Sequence, residues 1–143
     1  MKRIFFLCAL VISFQCLSAE IEIKGNYEVG MNESPLEGVK FSFIEANGIK
    51  MRLAEMGEGP LVLLAHGWPE SWYSWRHQMV GLSKAGFRVI APDMRGYGKT
   101  DAPSEIDLYD IKHLTADMVG ILDALGEATA SIVWHDWGAP VAT

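Results

Sequence analysis

The residues best suited to chemistry stand in one short stretch, SIVWHDWGA, at residues 131–139. Its isoleucine and valine favour a buried strand, and its glycine and alanine allow a helix to begin tightly against that strand. Asp136 therefore stands at the tip of a strand–turn–helix corner, where enzymes can place a nucleophile. A carboxylate there can attack an electrophilic carbon and form an ester that water must hydrolyse. The alternative is an ordinary aspartate that caps the helix beginning at Trp137.

The composition is that of an ordinary protein with a hydrophobic core. Of 143 residues, 50% are hydrophobic and 21% are charged, which predicts at most one domain. The formal net charge is −6 at pH 7, and the sequence has no basic patch. Both observations argue against nucleic acid as a partner.

Residues 1–19 have the pattern of a secretory signal peptide. Lys2 and Arg3 supply the positive start, residues 4–17 are mostly apolar, and small residues precede a cleavage site before Glu20. We therefore expect an exported protein, periplasmic or secreted, that keeps no stable membrane span once the leader is removed. The alternative is an uncleaved N-terminal anchor.

Both cysteines of the chain, Cys8 and Cys16, fall within this leader. The mature chain would then contain no cysteine, which excludes disulfides, thiol catalysis and cysteine-ligated metal sites for it. A covalent mechanism would need a nucleophile of another residue type.

The hydrophobic pattern after the leader predicts strands that alternate with helices. Residues 20–38 are interpreted as an extended lead-in and residues 39–143 as the folded part. An Asn47-Gly48 turn joins the first two strands as a hairpin. Parallel strands with right-handed crossover helices are expected to follow, which is an α/β architecture. The predicted strands are residues 39–45, 49–55, 61–65, 87–91 and 130–134, and the predicted helices run from Pro69 to Gly86 and over 108–125.

Three segments that could carry function follow directly from predicted strands. They are HGWP at residues 66–69, a glycine-rich loop at residues 93–103, and Asp136. Functional groups in parallel α/β sheets gather beyond the carboxyl ends of the strands. The three segments are therefore expected at the same rim of the sheet.

The same segments carry a resemblance to a known family. The motifs are HGWP with its continuation ESWYSWR, PDMRGYG at residues 92–98 and HDWGA at residues 135–139. They occur in the order of that family, with plausible spacing. With these motifs the chain resembles the α/β-hydrolase fold and, within it, the epoxide hydrolases. The resemblance covers residues 39–143 and implies the N-terminal half of that fold, truncated after the nucleophile elbow. We call residues 131–139 the elbow.

The resemblance implies a role for each of three residues. Asp136 would be the nucleophile that opens an epoxide by attacking a ring carbon. Trp68 and Trp137 would donate backbone N–H groups to an oxyanion hole while the alkyl–enzyme ester is hydrolysed. The Trp137 side chain would also bind the substrate, a small apolar molecule that carries an epoxide. No cofactor and no metal is implied.

Most other residues of the three motifs are expected to shape the site rather than to react. His66 is interpreted as a turn histidine, and His135 is expected to point away from Asp136. Trp134 stands where the family has a small residue, so we expect its indole to crowd the neighbouring helix or strand at a cost of roughly 1–3 kcal/mol. The motif residues expected to be structural are His66, Gly67, Pro69, Asp93, Arg95, Gly96 and Gly98.

Two alternative functions stay open beside the epoxide hydrolase. A haloalkane dehalogenase-type hydrolase would use the same Asp136 attack on a carbon–halogen bond, with Trp137 helping to bind the halide. The other alternative is an inactive, truncated relative, since the base histidine, its orienting acid and the cap tyrosines of the family would follow Thr143. Without a general base, residues 1–143 alone are expected to show no turnover. A serine esterase is disfavoured because the elbow tip is not serine.

Overall fold

The computed structural model describes residues 5–6 and 36–142 of the chain. Within them lies a six-stranded sheet with helices on both faces, in the strand order β1-β6-β4-β5-β3-β2. The strands are β1 (Phe5–Phe6), β2 (Lys40–Ala46), β3 (Ile49–Met56), β4 (Leu61–Ala65), β5 (Arg88–Pro92) and β6 (Ser131–Trp134). The α-helices are α1 (Arg76–Lys84), α2 (Ile111–Leu125) and α3 (Gly138–Ala142), with 3₁₀ turns at Trp72–Trp75 and Ile106–Tyr109.

The sheet combines an antiparallel hairpin with a parallel centre, as the sequence predicted. Strands β2 and β3 pair antiparallel around the Asn47-Gly48 turn, and β3 continues antiparallel onto β5. Strand β4 is parallel to β5 on one side and to β6 on the other. Because these three strands point the same way, the segments that follow them share one rim.

Strand β4 lies at the centre of the molecule, which explains why each of its residues is apolar. Leu61, Leu63 and Ala65 face a core cluster that includes residues of α2. Val62 and Leu64 face a second cluster with Trp72, Trp75 and Met79, from the 3₁₀ turn and α1. A strand that is covered on both faces has no side for polar residues.

The first helix begins later than the sequence predicted. Pro69 does not open it, because residues 67–70 form a turn in which Glu70 N–H donates to the Gly67 carbonyl oxygen at 3.1 Å. The Trp68–Pro69 peptide bond is cis. Ser71 then caps the 3₁₀ turn by accepting a hydrogen bond from Tyr73 N–H.

The second helix has the boundaries that its end residues favour. Asp110 is the N-cap, and its carboxylate accepts a hydrogen bond from His113 N–H at 2.9 Å. Gly126 ends the helix in the left-handed conformation, with φ +70°, where glycine avoids the steric clash that a Cβ causes. The predicted start at residue 108 falls instead in the 3₁₀ turn that precedes the helix.

Little of the predicted leader and lead-in belongs to the described residues. Of residues 1–19, Phe5 and Phe6 are described, and they pair in parallel with Ser131 and Ile132 of β6. The two cysteines, the cleavage site before Glu20 and most of the lead-in lie outside the described ranges. Among the residues that are described, no helix is both long enough and apolar enough to cross a bilayer.

Candidate active site

The elbow has the sharp geometry that its sequence predicted. Strand β6 ends at Trp134, and α3 begins at Gly138. Between them Asp136 has φ +49°, a left-handed value that is uncommon for a residue other than glycine. Hydrogen bonds from Gly138 N–H to the His135 carbonyl at 2.9 Å and from Ala139 N–H to the Asp136 carbonyl at 3.0 Å close the turn. Asp136 thus projects from the tip and is exposed.

Two glycines make room for this corner. A Cβ on Gly67 would lie 2.6 Å from Oδ1 of Asp136, closer than non-bonded atoms can approach. A Cβ on Gly138 would overlap the Ala65 carbonyl oxygen of β4 and lie 3.2 Å from the Trp134 Cβ. The absence of a side chain at Gly138 therefore lets α3 start beside Trp134, whose half-buried indole packs against the core cluster around β4.

Backbone amides hold the Asp136 carboxylate. Oδ1 accepts a hydrogen bond at 2.8 Å from the N–H of Trp68, which lies in the turn that follows β4. The backbone N–H groups of Trp68 and Trp137 lower the pKa of Asp136 below its ordinary value, and Trp68 has the larger effect. A carboxylate held in this way stays ionised. The hydrogen bond from Trp68 links the turn after β4 to the corner after β6, so Asp136 does more than cap its own helix.

His66 connects the turn after β4 with the loop after β5. The buried ring places Nδ1 2.8 Å from the Gly67 carbonyl oxygen, and its Nε2 accepts a hydrogen bond from Met94 N–H at 3.0 Å. Because Nε2 accepts, the ring is neutral with its proton on Nδ1. Burial lowers the pKa of His66, which favours the same neutral form. Both ring nitrogens are therefore occupied within the two turns.

Asp93 pins the glycine-rich loop from a fully buried position. One carboxylate oxygen accepts hydrogen bonds from Arg52 Nε at 2.7 Å and from Lys99 N–H at 3.0 Å. The other oxygen accepts from Trp72 N–H at 3.2 Å. A Cβ on Gly98 would overlap this carboxylate. Asp93 and Gly98 therefore shape the loop.

Arg95 and Gly96 anchor the same loop on its other side. Arg95 is buried and forms two hydrogen bonds to Asp117 of α2, a residue that the sequence analysis missed. A signal for it exists, since Asp117 lies among apolar residues on the buried face of α2, where a carboxylate needs a partner. A Cβ on Gly96, at φ +84°, would come within 2.9 Å of the Tyr109 ring.

A cavity of about 360 Å³ lies between these loops. Trp137 lines it, and Trp68 and Trp137 are 65% and 60% exposed. The sequence analysis missed Tyr109 and Leu114, which lie in a 3₁₀ turn and on α2 and belong to no reactive pattern, and it gave Met94 and Tyr97 no role. The lining residues are His66, Gly67, Trp68, Met94, Arg95, Tyr97, Tyr109, Leu114 and Trp137.

Tyr97 is a cavity residue whose phenol is influenced by the charge of Asp136. Its ring packs edge-on against His66, with centroids 5.2 Å apart. Burial raises the pKa of the Tyr97 phenol, and the negative charge of Asp136 raises it further. The tyrosine therefore stays protonated beside the carboxylate.

His135 contacts residues of the segment that follows HGWP. Its Nε2 lies 3.0 Å from a carboxylate oxygen of Glu70, and its ring lies 4.9 Å from that of Trp75. Trp72 and Trp75 are buried packing residues, whereas Tyr73 is 40% exposed and lies under the Arg76 guanidinium.

The comparisons with known proteins agree with this architecture. The family model described as "alpha/beta hydrolase fold" matches residues 60–143, more than half of the chain. The chain belongs to the α/β-hydrolase fold family. Within that family it is 51% identical over 107 residues to epoxide hydrolase 3 of Siraitia grosvenorii, covering 75% of this chain and 34% of that protein.

Two further proteins named as epoxide hydrolases show the same relation. Epoxide hydrolase A of Mycobacterium tuberculosis is 53% identical over 100 residues, which cover 68% of this chain and 31% of that protein. The crystal structure of epoxide hydrolase VrEH1 from Vigna radiata superposes with a TM-score of 0.73 at 52% identity, covering 76% of this chain and 34% of that one. The chain thus spans about a third of the length of these relatives.

Proposed function

We propose that the complete protein is an epoxide hydrolase that converts an epoxide and water into a vicinal diol through an ester on Asp136. The observation that carries the proposal is the Asp136 carboxylate, which projects from a strained corner while Trp68 N–H holds one of its oxygens at 2.8 Å. The relatives named as epoxide hydrolases support it, since they are about half identical over this region.

The first step would use the second carboxylate oxygen of Asp136. That oxygen attacks a ring carbon, the carbon–oxygen bond of the ring breaks, and its electron pair passes to the ring oxygen, which takes up a proton. The product is an ester between Asp136 and the opened substrate. The low pKa of Asp136 keeps the nucleophile ionised for this attack.

The second step would regenerate the carboxylate. Water adds to the ester carbonyl carbon and loses a proton, while negative charge develops on the carbonyl oxygen. The N–H groups of Trp68 and Trp137, which already lower the pKa of the carboxylate, would then act as the oxyanion hole. Collapse breaks the bond between the acyl carbon and the substrate oxygen, and this oxygen takes up a proton as the diol leaves.

His66 is an unsuitable general base for this second step. Both of its ring nitrogens are engaged, with the Gly67 carbonyl and with Met94 N–H. A base needs a free lone pair within reach of the water. The resemblance instead assigns the base, and the tyrosines that protonate the ring oxygen, to parts of the protein outside this sequence.

The decisive experiment traps the ester in the complete protein. After a single turnover of styrene oxide and acid quenching, the peptide that contains Asp136 should be heavier by the mass of one substrate molecule. Asp136→Asn should show no added mass and lose more than about 10³-fold in kcat. Asp107→Asn, which changes an exposed aspartate away from the elbow, should behave like the wild type. An unlabelled Asp136, or an active Asp136→Asn, contradicts the proposal.

The dehalogenase alternative is favoured by one observation, the exposed Trp137 indole that lines the cavity beside Asp136. An indole N–H can hold a departing halide. Incubation of the complete protein with 1,2-dibromoethane and with styrene oxide separates the two functions. Bromide release without diol formation would assign the dehalogenase reaction, whereas diol formation alone supports the epoxide hydrolase.

A further inference from the structure

We propose that Asp117 is a positioning residue for the substrate cavity. It fixes the Arg95 guanidinium, and through Arg95 it holds the turn of residues 94–97 that forms one wall of the cavity. The inference rests on the proposed function, because its effect is read as substrate binding. Asp117 itself does not line the cavity.

The Arg95–Asp117 pair is buried and bidentate. The two side chains are 2% and 1% exposed. Arg95 Nε donates to one carboxylate oxygen at 2.9 Å and Nη2 to the other at 2.6 Å. Two parallel charge-assisted hydrogen bonds fix the orientation of the guanidinium as well as its position. The carboxylate raises the pKa of Arg95, so the guanidinium stays charged.

Asp117 is held in turn by the hairpin. Asn47 Nδ2 donates to Asp117 Oδ1 at 2.8 Å and to the His113 carbonyl at 3.2 Å. Asn47 stands in the left-handed conformation of the hairpin turn, with φ +48°. A Cβ on Gly120 would lie 3.1 Å from Ala46 Cβ, so α2 and the hairpin are in close contact here. The Asp117 carboxylate, which accepts from Arg95, is therefore held both by its own helix α2 and by the β2–β3 hairpin.

The other end of this connection is the cavity wall. Tyr97 N–H donates to the Met94 carbonyl at 2.9 Å and closes the turn, while Met94 N–H donates to His66. Met94, Arg95 and Tyr97 all line the cavity. His66 therefore anchors the turn toward β4, and Asp117 anchors it, through Arg95, toward α2. Without Asp117 the second anchor is lost.

A purely stabilising pair predicts a different result from a positioning pair. Apolar residues of similar volume can replace a buried ion pair with little change in stability, whereas removing one partner leaves a buried charge without compensation. The double variant Arg95→Met, Asp117→Leu should therefore recover the stability that Asp117→Asn loses. It should not recover the geometry of the turn, because methionine and leucine form no directional hydrogen bonds.

The experiment compares these variants in the complete protein. Styrene oxide gives kcat and KM, and its unreactive analogue cyclopropylbenzene gives a Kd from quenching of Trp68 and Trp137 fluorescence. We expect Asp117→Asn to raise KM and Kd about tenfold with kcat within about threefold, the pattern of lost uniform binding. The double variant should regain the wild-type Tm within about 2 °C, with KM and Kd still raised. Glu127→Gln, which removes a partly exposed ion pair with Arg88, is the control and should change neither constant.

Two results would overturn the proposal: a wild-type Kd in Asp117→Asn, or a double variant that recovers both Tm and Kd. The latter would make the pair purely stabilising. Failure of the proposed function has a different signature. In that case the wild type would form no diol from styrene oxide, yet cyclopropylbenzene would bind with a Kd that still depends on Asp117, and the positioning role would stand.

Discussion

The backbone of Asp136 is strained, and the corner forms because Gly67 and Gly138 have no side chains. Its φ of +49° belongs to a region that few residues other than glycine adopt. Such a conformation costs of order 1–3 kcal/mol and persists where the surrounding structure imposes it. Here the Trp68 N–H contacts Asp136 on one side of the corner, and α3 packs against β4 on the other side. The lack of a side chain at Gly67 and at Gly138 permits these two close contacts.

Gly67→Ala tests whether this fit matters for activity. The new Cβ would lie 2.6 Å from Asp136 Oδ1, so either the carboxylate or the Trp68 N–H must move. A displacement of about 1 Å at the reacting atoms lowers kcat/KM by roughly 10²-fold, and we expect at least that loss with styrene oxide. Gly81→Ala, in open space on α1, is the control and should keep wild-type kcat/KM. Equal activity of both variants would contradict the prediction.

His66 should make stability depend on pH. Burial lowers its pKa in the folded protein below the unfolded value of 6.5. The unfolded chain then binds the proton first, so stability is complete above pH 6.5 and is lost as the pH falls toward the folded pKa. Tm measured from pH 7.5 to pH 5 should decline in the wild type and less steeply in His66→Gln. His77→Gln, at an exposed position on α1, should retain the wild-type slope; an identical slope in His66→Gln would refute the assignment.

At the scale of elements, two glycines in open space should respond to alanine in opposite directions. Gly81 stands inside α1, where alanine is favoured by about 0.5–1 kcal/mol. Gly126 ends α2 at φ +70°, where a Cβ costs roughly 1–2 kcal/mol. A Cβ meets nothing within 4 Å at either site. Urea unfolding of the complete protein should therefore give a higher free energy of unfolding for Gly81→Ala and a lower one for Gly126→Ala; shifts in the same direction would contradict this reasoning.

Element boundaries were predictable where local residues set them. The hairpin follows from Asn47-Gly48 and the end of α2 from Gly126, because both positions require left-handed backbone. The start of the first helix was missed, because Pro69 also suits a turn. That choice depends on the hydrogen bond between Glu70 and Gly67, which a pattern of apolar residues does not reveal.

At the scale of the whole molecule, we propose that residues 1–19 direct export and are then removed. The purified protein should begin at Glu20 by N-terminal sequencing, and it should be recovered outside the cytoplasm. Replacing Lys2 and Arg3 by glutamate should retain the precursor inside the cell, because the positive start is lost. Lys24→Glu, beyond the cleavage site, should be exported normally. An intact Met1 in the membrane fraction would support the uncleaved anchor instead.

The sequence by itself determined the kind of fold and singled out Asp136 as the candidate nucleophile. The features that carried these predictions are local. They are a carboxylate that follows a strand and precedes two small residues, an alternation of strands with helices, and three motifs that directly follow predicted strands. Each depends on neighbouring residues or on a short period, so it can be read along the chain. The family comparison confirms the family membership, and the φ of Asp136 confirms the sharp corner.

Tertiary structure alone decided how these pieces meet. Strand β4 lies between β5 and β6, and this order brings Trp68 N–H to Asp136 and Met94 N–H to His66. It also places Asp117 under Arg95. These hydrogen bonds join residues far apart in the chain, and their geometry depends on which strands are neighbours. No local pattern carries that information, because a donor and its acceptor are matched by position in space rather than by spacing in sequence.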